Sequence, residues 1–310
     1  MTIKFDLKGG MNLSQTSEEM VYKPKKTESH RIRSLKDFYR RFKKNKAALV
    51  GGYTILILII VSIIGPFIVT GDPAEQDFAN RLATPSADNW FGTDHAGRDI
   101  FTRIIYGMKL TLAVGFSSVI LGGLLGIPLG IISGYYGGKI DSLIMRVMDV
   151  LLAFPGILLA LAIVSVLGGS LINVIIAIAI FSIPGFARIA RGSTLATKNL
   201  EYIDAIRALG AKDTRIIFRH IMPNILSPLI VNATLFIATA ILTAAGLSFL
   251  GLGAQPPSSE WGAMLNGGRD FMFIAPHISL FPGLAIVLVV LAFNIFGDGL
   301  RDALDPKMKK

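Results

Sequence analysis

The sequence predicts an all-α membrane protein whose chain crosses the bilayer six times. Two observations predict this class. First, 52% of the 310 residues are hydrophobic, 17% are charged and the mean hydropathy is +0.58. Second, long uncharged runs follow one another after residue 46. Runs of about 20 apolar residues cross a membrane as helices, because a helix satisfies its own backbone hydrogen bonds.

The first 46 residues form a polar tail. Residues 1–22 have no periodicity and are predicted to be disordered, whereas residues 23–46 hold eleven Lys and Arg against two acids. Such a basic segment is typical of a nucleic-acid arm, a lipid-binding switch or a cytoplasmic flank of a span. The apolar run begins directly after Lys46, which favours the flank and predicts no nucleic-acid partner.

The first span is expected at residues 47–69, which are 23 residues without a charge and form a retained anchor. Residues 70–108 then form a polar extracytoplasmic loop with six acidic and three basic residues. Asp94, His95 and Asp99 in this loop could bind a metal. With no second histidine nearby, a polar cluster that orders the loop is favoured, so no metal site is predicted.

Residues 109–297 form a core of five further spans. These are expected at 110–138, at 225–252, at 278–297 and twice within 150–187. Residues 139–149 are a short charged connection, and Gly168-Gly169-Ser170 divides the 38-residue uncharged run into two helices. A charged tail covers 298–310. Spans three to six contain prolines that permit bending: Pro155, Pro184, Pro228 and Pro282.

The longest charged interruption of the core is residues 199–223, called here the 199–223 segment. At 100° per residue, four apolar side chains share one face of a helix: Tyr202, Ile203, Ile206 and Leu209. Glu201, Asp204 and Arg207 share the opposite face. Gly210 is expected to be a left-handed C-terminal cap, and a second short helix is expected from Lys212 until Pro223 ends it.

The distribution of Lys and Arg predicts the orientation of the chain. With both termini inside, the inner segments carry 26 of these residues: 13 in 1–46, two in 139–149, seven in 188–219 and four in 298–310. The outer segments 70–109 and 253–277 carry four and one. Inner loops of membrane proteins are enriched in Lys and Arg. Both termini and the 199–223 segment are therefore predicted to be cytoplasmic.

The chain offers no motif for chemistry of its own. The nearest match to a phosphate-binding loop, Gly138-Lys139-Ile140, lacks the hydroxyl residue after the lysine and has Ser133 at the first glycine position. An enzyme is therefore the less favoured hypothesis, and no catalytic residue, cofactor or nucleotide site is predicted. A channel or secondary transporter that works alone and a membrane scaffold protein remain as alternatives.

The 199–223 segment resembles the cytoplasmic coupling loop of binding-protein-dependent ABC importer permeases. That pattern is Glu-Ala-Ala, three residues, Gly, nine residues and Ile-x-Leu-Pro. Here Asp204-Ala205-Ile206 leads to Gly210 and then to His220-Ile221-Met222-Pro223 at the same spacing. Four positions depart from it: Asp204, Ile206, His220 and Met222.

The flanking sequence is similar to the dipeptide, oligopeptide and nickel subfamily from about residue 35 onward. The matching stretches are Phe91-Gly92-Thr93-Asp94 with Gly97-Arg98-Asp99, Gly134-Tyr135-Tyr136-Gly137-Gly138, Met145-Arg146 through Asp149, Ala208-Leu209-Gly210-Ala211, Arg219 through Asn224, Leu247 through Gly253, and Asn294 through Pro306. These are long and ordered matches.

The resemblance implies a type I importer fold of six transmembrane helices and a place in a larger complex in the bacterial or archaeal plasma membrane. The implied partners are a second homologous permease subunit, two cytoplasmic ATPase subunits that hold ATP and Mg, and an extracytoplasmic substrate-binding protein. The implied ATPase-coupling residues are Glu201, Tyr202, Ile203, Asp204, Ala205, Ile206, Arg207, Leu209, Gly210 and Pro223.

The loop 253–277 resembles a lip that faces the binding protein, with Glu260, Trp261 and Arg269 as contact residues. A packed connector between spans five and six is the alternative. The implied substrates are di- or oligopeptides, with nickel chelates or glutathione-like compounds as alternatives. The choice stays open because selectivity in this family resides largely in the binding protein.

Overall fold

The computed structural model describes residues 42, 43 and 45–304. This part of the chain holds ten α-helices: α1 Lys46–Ile68, α2 Ile100–Tyr136, α3 Gly138–Leu152, α4 Gly156–Leu167, α5 Leu171–Lys198, α6 Glu201–Ala208, α7 Asp213–Ile216, α8 Met222–Phe249, α9 Trp261–Gly268 and α10 His277–Leu304. A π-helical turn, Ile217–Ile221, joins α7 to α8. The predicted disordered tail 1–22 lies outside the described residues, as do most of the basic flank and residues 305–310.

Short polar side chains start three of the long helices. Asn45 accepts a hydrogen bond from the Ala48 backbone N–H, Asp99 from that of Thr102 and Ser170 from that of Asn173. Each cap satisfies one of the backbone donors that a helix leaves free at its first turn. The boundary between polar loop and apolar helix is therefore set locally at these three places.

Several predicted boundaries were wrong because helices continue into charged sequence. The second span starts at Ile100, ten residues early, and residues 139–149 are helical rather than a connection. The fourth span continues from the uncharged run to Lys198. The last helix reaches Leu304, so the first seven residues of the predicted tail 298–310 are helical. A charge ends an apolar run without ending the helix.

The centre of the bundle is the close packing of α2 against α5. Gly122, Gly126 and Gly130 lie four residues apart on α2, and a β-carbon on each would stand 1.8 to 2.5 Å from atoms of α5. The atoms met are Ser182 Oγ, Ile183 O and Ala187 O, so residue numbers rise together along both helices. Small residues thus allow two parallel helices to touch through their backbones.

The parallel direction of α2 and α5 determines what the chain does between them. After α2 ends at Tyr136, the chain must return to the other end of the bundle before α5 begins. The return is made by α3 and α4, which are bent by 85° at the break before Gly156. The third span was predicted as a helix within 150–187, and it is this bent pair instead. Pro155, a predicted weak point, lies at the break.

Five described helices are long and apolar enough to span a membrane, and the count is six if the bent pair forms one span. Both described ends of the chain lie at one end of this bundle, where Asn45 Nδ2 donates to Asp302 Oδ2 at 3.2 Å. This is called the short-loop end, since the 199–223 segment and the turn at Gly137 lie there. The opposite, long-loop end holds residues 69–99 and 250–276.

Candidate functional site

The 199–223 segment connects α5 to α8 at the short-loop end. It starts with α6, and Gly210 follows that helix with a φ of +81°. The Gly210 N–H donates to Arg207 O at 2.9 Å and the Ala211 N–H to Ile206 O at 3.3 Å. These two bonds and the left-handed glycine form a Schellman C-cap. The predicted cap at Gly210 is confirmed.

The apolar face of α6 is narrower than predicted. Ile203 is fully buried in the core of the chain and Ile206 is half-buried. Tyr202 is exposed, and its hydroxyl accepts a hydrogen bond from Asn224 Nδ2 at 3.0 Å. Leu209 is 87% exposed, because the helix ends at Ala208 and the chain turns away there. Of the four side chains on the predicted apolar face, only Ile203 and Ile206 are thus covered within the chain, and a role of Leu209 in contact with a partner stays a prediction.

The opposite face of α6 is exposed to solvent. Glu201, Asp204, Ala205 and Arg207 are all exposed, and Arg207 Nη1 pairs with Asp204 Oδ1 at 3.0 Å, three residues apart. An exposed pair with this spacing adds only about 0.3–0.5 kcal/mol to a helix. These side chains are thus free to form contacts with another molecule at little cost to the fold.

The segment is joined to the ends of the long helices by hydrogen bonds. Tyr135 Oη, at the end of α2, donates to Asp213 Oδ1 at 2.7 Å. Lys198 Nζ, at the end of α5, donates to the Tyr135 carbonyl at 2.7 Å. The end of α2 is therefore hydrogen-bonded both to α7 and to the end of α5. Sequence reasoning missed this link because its partners are 63 and 78 residues apart.

Pro223 does not end a helix, which corrects the prediction. It stands in the first turn of α8, directly after the π-helical turn, and helix continues from Asp213 to Phe249. The Met222 N–H donates to Ile217 O, five residues back. A wider π-helical turn accommodates a local break in the ordinary hydrogen-bond ladder. The segment is consequently continuous with the fifth membrane span.

The loop 253–277 at the long-loop end is packed rather than open. Trp261 is fully buried, and its Nε1 donates to Ile104 O at 3.1 Å. Glu260 is 1% exposed and accepts hydrogen bonds from the Gly262 and Ala263 N–H groups at the start of α9. Burial raises the pKa of this carboxyl. These two side chains cannot contact a partner in this conformation, whereas Arg269 is exposed.

The polar residues of the loop 70–99 order that loop. Buried Asp94 accepts hydrogen bonds from the backbone N–H groups of Ala96 and Arg98 and from Arg98 Nε at 2.7 Å. The Asp99 side chain caps α2 by accepting a hydrogen bond from the Thr102 N–H. Burial lowers the pKa of His95. Within residues 42, 43 and 45–304, no group of three or more His, Cys, Asp or Glu side chains could hold a metal.

This geometry first defines a class of protein. Five long apolar helices and a bent helix pair form a bundle whose centre is the glycine-packed contact of α2 and α5, and an exposed helical segment at one end is hydrogen-bonded to the spans. Such a molecule is a polytopic membrane protein.

Comparison with known proteins supplies the family. The chain belongs to the binding-protein-dependent transport system inner membrane components, whose model matches residues 126–310. Residues 34–85 match the N-terminal transmembrane domain of oligopeptide transport permease C. The chain is accordingly a multi-pass permease subunit of a bacterial ABC importer, and its family works with ATPase and substrate-binding proteins.

Two relatives resemble nearly the whole chain. It is 54% identical over 274 residues to the dipeptide transport system permease protein DppC of Alkalihalophilus pseudofirmus, covering 88% of this chain and 90% of the relative. It is 51% identical over 275 residues to the glutathione transport system permease protein GsiD of Pectobacterium atrosepticum, covering 88% and 91%.

A solved structure of the inward-facing MetNI methionine ABC transporter supports the fold. One of its chains aligns with a TM-score of 0.55 at 20% identity, over 66% of this chain and 98% of that one. The six-pass type I importer fold expected from the sequence is therefore confirmed.

Proposed function

We propose that this chain forms half of the translocation pathway of an importer for di- or oligopeptides or glutathione-like solutes, with a second homologous permease subunit as the other half. Two ATPase subunits supply ATP and Mg, and an extracytoplasmic binding protein delivers the solute. The similarity to dipeptide and glutathione permeases over about nine tenths of the chain supports this substrate class.

The orientation follows from charge and from the geometry of the two ends. Among the described residues, the segments 139–149, 188–219 and 298–304 at the short-loop end carry two, seven and one Lys or Arg, against four and one in the segments 70–109 and 253–277 at the long-loop end. Since basic residues are retained on the cytoplasmic side, the short-loop end is cytoplasmic and the long-loop end is extracytoplasmic. The 199–223 segment is then accessible to ATPase subunits inside the cell.

The observation that carries the coupling role is the exposure of an apolar side chain at the tip of a charged helix. Leu209 directly follows α6 and is 87% exposed, and the exposed face of that helix carries Glu201, Asp204 and Arg207. Interfaces typically combine one apolar anchor, which fills a pocket, with a polar rim. Leu209 is the anchor of the ATPase contact, the three charges orient it, and Ile203 holds α6 to the membrane domain.

Movement of the ATPases reaches the pathway through the two ends of the segment. At one end, α5 leads directly into α6. At the other, α7 and the π-helical turn continue into α8, and Asp213 is bonded to Tyr135 of α2. Three spans therefore respond together when α6 is displaced.

At the extracytoplasmic end, Arg269 is retained as a contact for the binding protein, since it is exposed there.

The coupling role is tested by Leu209→Ala in a reconstituted complex with its ATPases and binding protein. Loss of an interface anchor costs about 1–2 kcal/mol or more, so ATPase association should weaken about tenfold and hydrolysis stimulated by loaded binding protein should fall. The matched control is Leu124→Ala, which removes a leucine that is 65% exposed on α2. Equal behaviour of the two variants would contradict the assignment.

A further inference from the structure

A second candidate site is a polar cavity at the long-loop end, away from the 199–223 segment. It has a volume of about 410 Å³ and is lined by residues of the loops 69–99 and 250–276 and of the adjoining ends of α2, α8 and α10. Gln76 and Gln255 in its wall are exposed, so the cavity opens at the surface. Clefts of this size typically accommodate a small molecule.

Two guanidinium groups in this cavity share one carboxylate. Arg98 Nε donates to Asp94 Oδ2 at 2.7 Å, and Arg103 Nε lies 3.7 Å from the same oxygen. The side chains of Arg98 and Arg103 are only 9% and 4% exposed. Asp94 is the one acidic residue among the described residues that line the cavity. These three groups together therefore leave one positive charge in excess.

Two further acids lie close in sequence to the lining residues, but their carboxylates are used elsewhere. Asp99 accepts the hydrogen bond that caps α2, and Glu260 accepts those of the Gly262 and Ala263 N–H groups. Neither acid lines the cavity. Because a buried charge without a counterion is unfavourable, an anion that enters the cavity is stabilised there.

The two arginines differ in how many of their donors are used. Arg103 Nη1 and Nη2 donate to Pro73 O and Ser258 O, each at 2.8 Å, which joins both loops to α2. Arg98 uses only its Nε, and neither its Nη1 nor its Nη2 has a hydrogen-bond partner within residues 42, 43 and 45–304. Buried donors are normally paired. The free edge of Arg98 therefore indicates where a ligand binds.

His95 offers another donor in the same wall. Its Nδ1 is buried and has no hydrogen-bond partner in the described part of the chain. The ring is stacked on Phe271, with centroids 5.7 Å apart, which fixes its orientation. Burial lowers the pKa of His95, so the ring is neutral at pH 7 and carries one N–H. With that hydrogen on Nδ1, the ring can donate to an anion.

We propose that this cavity binds a small carboxylate anion through Nη1 and Nη2 of Arg98, with His95 Nδ1 as an additional donor. The planar guanidinium matches the two oxygens of a carboxylate. One bound carboxylate balances the excess positive charge of the wall. The carboxylate of Asp94 opposes a second negative charge, which favours a monoanion over a phosphate dianion. This site goes beyond the proposed function, because it is separate from the ATPase contact.

Binding is measured by fluorine NMR with the purified complete complex in detergent and fluoroacetate as the probe. Its signal should broaden on binding, whereas the uncharged isostere fluoroacetamide should show little broadening. Arg98→Gln should weaken fluoroacetate binding about tenfold or more, because charge-assisted hydrogen bonds are lost. Arg146→Gln, which removes an exposed arginine on α3, is the matched control and should leave binding unchanged. Equal broadening of both probes, or wild-type binding by Arg98→Gln, would overturn the proposal.

A second pair of variants leaves the Asp94–Arg98 contact intact. Gln76 is exposed, lines the cavity and forms no hydrogen bond within the described residues, so its replacement should not disturb the fold. Gln76→Glu should weaken fluoroacetate binding about threefold and Gln76→Lys should strengthen it, since the added charges repel and attract an anion. Shifts of both variants in the same direction would contradict an anion site.

Competition identifies the source of the carboxylate. Alanyl-alanine and alanyl-alanine amide have nearly the same size, but only the first has a carboxylate. Displacement of fluoroacetate by alanyl-alanine alone would assign the site to peptide solutes, and displacement by acetate but by neither dipeptide would assign it to a free ion; both results support a carboxylate site. If fluoroacetate does not bind while Arg98→Gln weakens association of the binding protein, the cavity accepts an acidic side chain of that partner instead, and the proposal is wrong.

Discussion

The 199–223 segment and the loop 253–277 each contain a helix of eight residues, α6 and α9, at opposite ends of the same bundle, and these two helices differ in what they bury. In α6, Ile203 is the one fully buried side chain among eight residues, whereas α9 buries Trp261, Gly262, Met264 and Gly268. The first helix buries Ile203, half-buries Ile206 and leaves its other side chains exposed, as the proposed docking role requires. The second is part of the folded membrane domain, so exposure rather than composition separates the two regions.

The comparison predicts the largest loss of stability at Trp261. Trp261→Ala should lower the free energy of unfolding by about 3–5 kcal/mol, because it empties a fully buried site and removes the bond to Ile104 O. Leu209→Ala should change it by less than about 0.5 kcal/mol. Thermal unfolding of the two variants in detergent measures both. Equal destabilisation would mean that the two regions do not differ as described.

A smaller effect is expected at Gly210, where function should be affected more than stability. Gly210→Val forces a β-branched residue into a left-handed conformation, which costs about 1–2 kcal/mol. A β-carbon there meets no atom within 4 Å, so the cost comes from the backbone alone. The variant should insert into the membrane and lose coupled ATP hydrolysis. Gly210→Asn is the control, since asparagine tolerates this conformation, and its coupling should be near normal.

At Glu260 the expected loss is about 1 kcal/mol. Glu260→Ala removes the acceptor for the Gly262 and Ala263 N–H groups at the start of α9. Thermal unfolding of this variant measures the loss, and transport by the folded protein should persist. A wild-type melting temperature would mean that the cap contributes nothing.

The same residue predicts a pH dependence. The pKa of Glu260 is raised in the folded state by burial, so its contribution to stability is present below the ordinary value of 4.5 and is lost as the pH rises through the raised value. Glu260→Gln does not titrate. The melting temperature of the wild type relative to this variant should therefore fall with rising pH over that window, and a rise would contradict the assigned direction.

The smallest effect is expected at Tyr202. Tyr202→Phe removes one exposed hydrogen bond to Asn224 and should cost at most about 0.5–1 kcal/mol. If α6 is positioned mainly by Ile203, stimulated ATP hydrolysis should stay near the wild-type rate. A loss of coupling as large as that of Gly210→Val would mean that the Tyr202–Asn224 bond, rather than the buried isoleucine, orients the helix.

Much of the fold was predictable from sequence where the cause is local. The uncharged run after Lys46 located α1 to within one residue, since its length and the Asn45 cap are properties of neighbouring residues. The cap at Gly210 was predictable for the same reason, because only a few backbone atoms take part in it. The charge asymmetry between loops likewise requires no knowledge of packing.

The sequence by itself therefore determined the class and the place of the charged 199–223 segment between two spans, both of which depend on runs of residues next to one another. Only the tertiary structure decided that α3 and α4 bend into one pass, that Glu260 and Trp261 are buried, and that Arg188 meets Asp149 39 residues away. Contacts of this kind depend on how helices pack against one another. The periodicity of a sequence indicates which side chains share a face of a helix, but it does not indicate which other helix packs against that face.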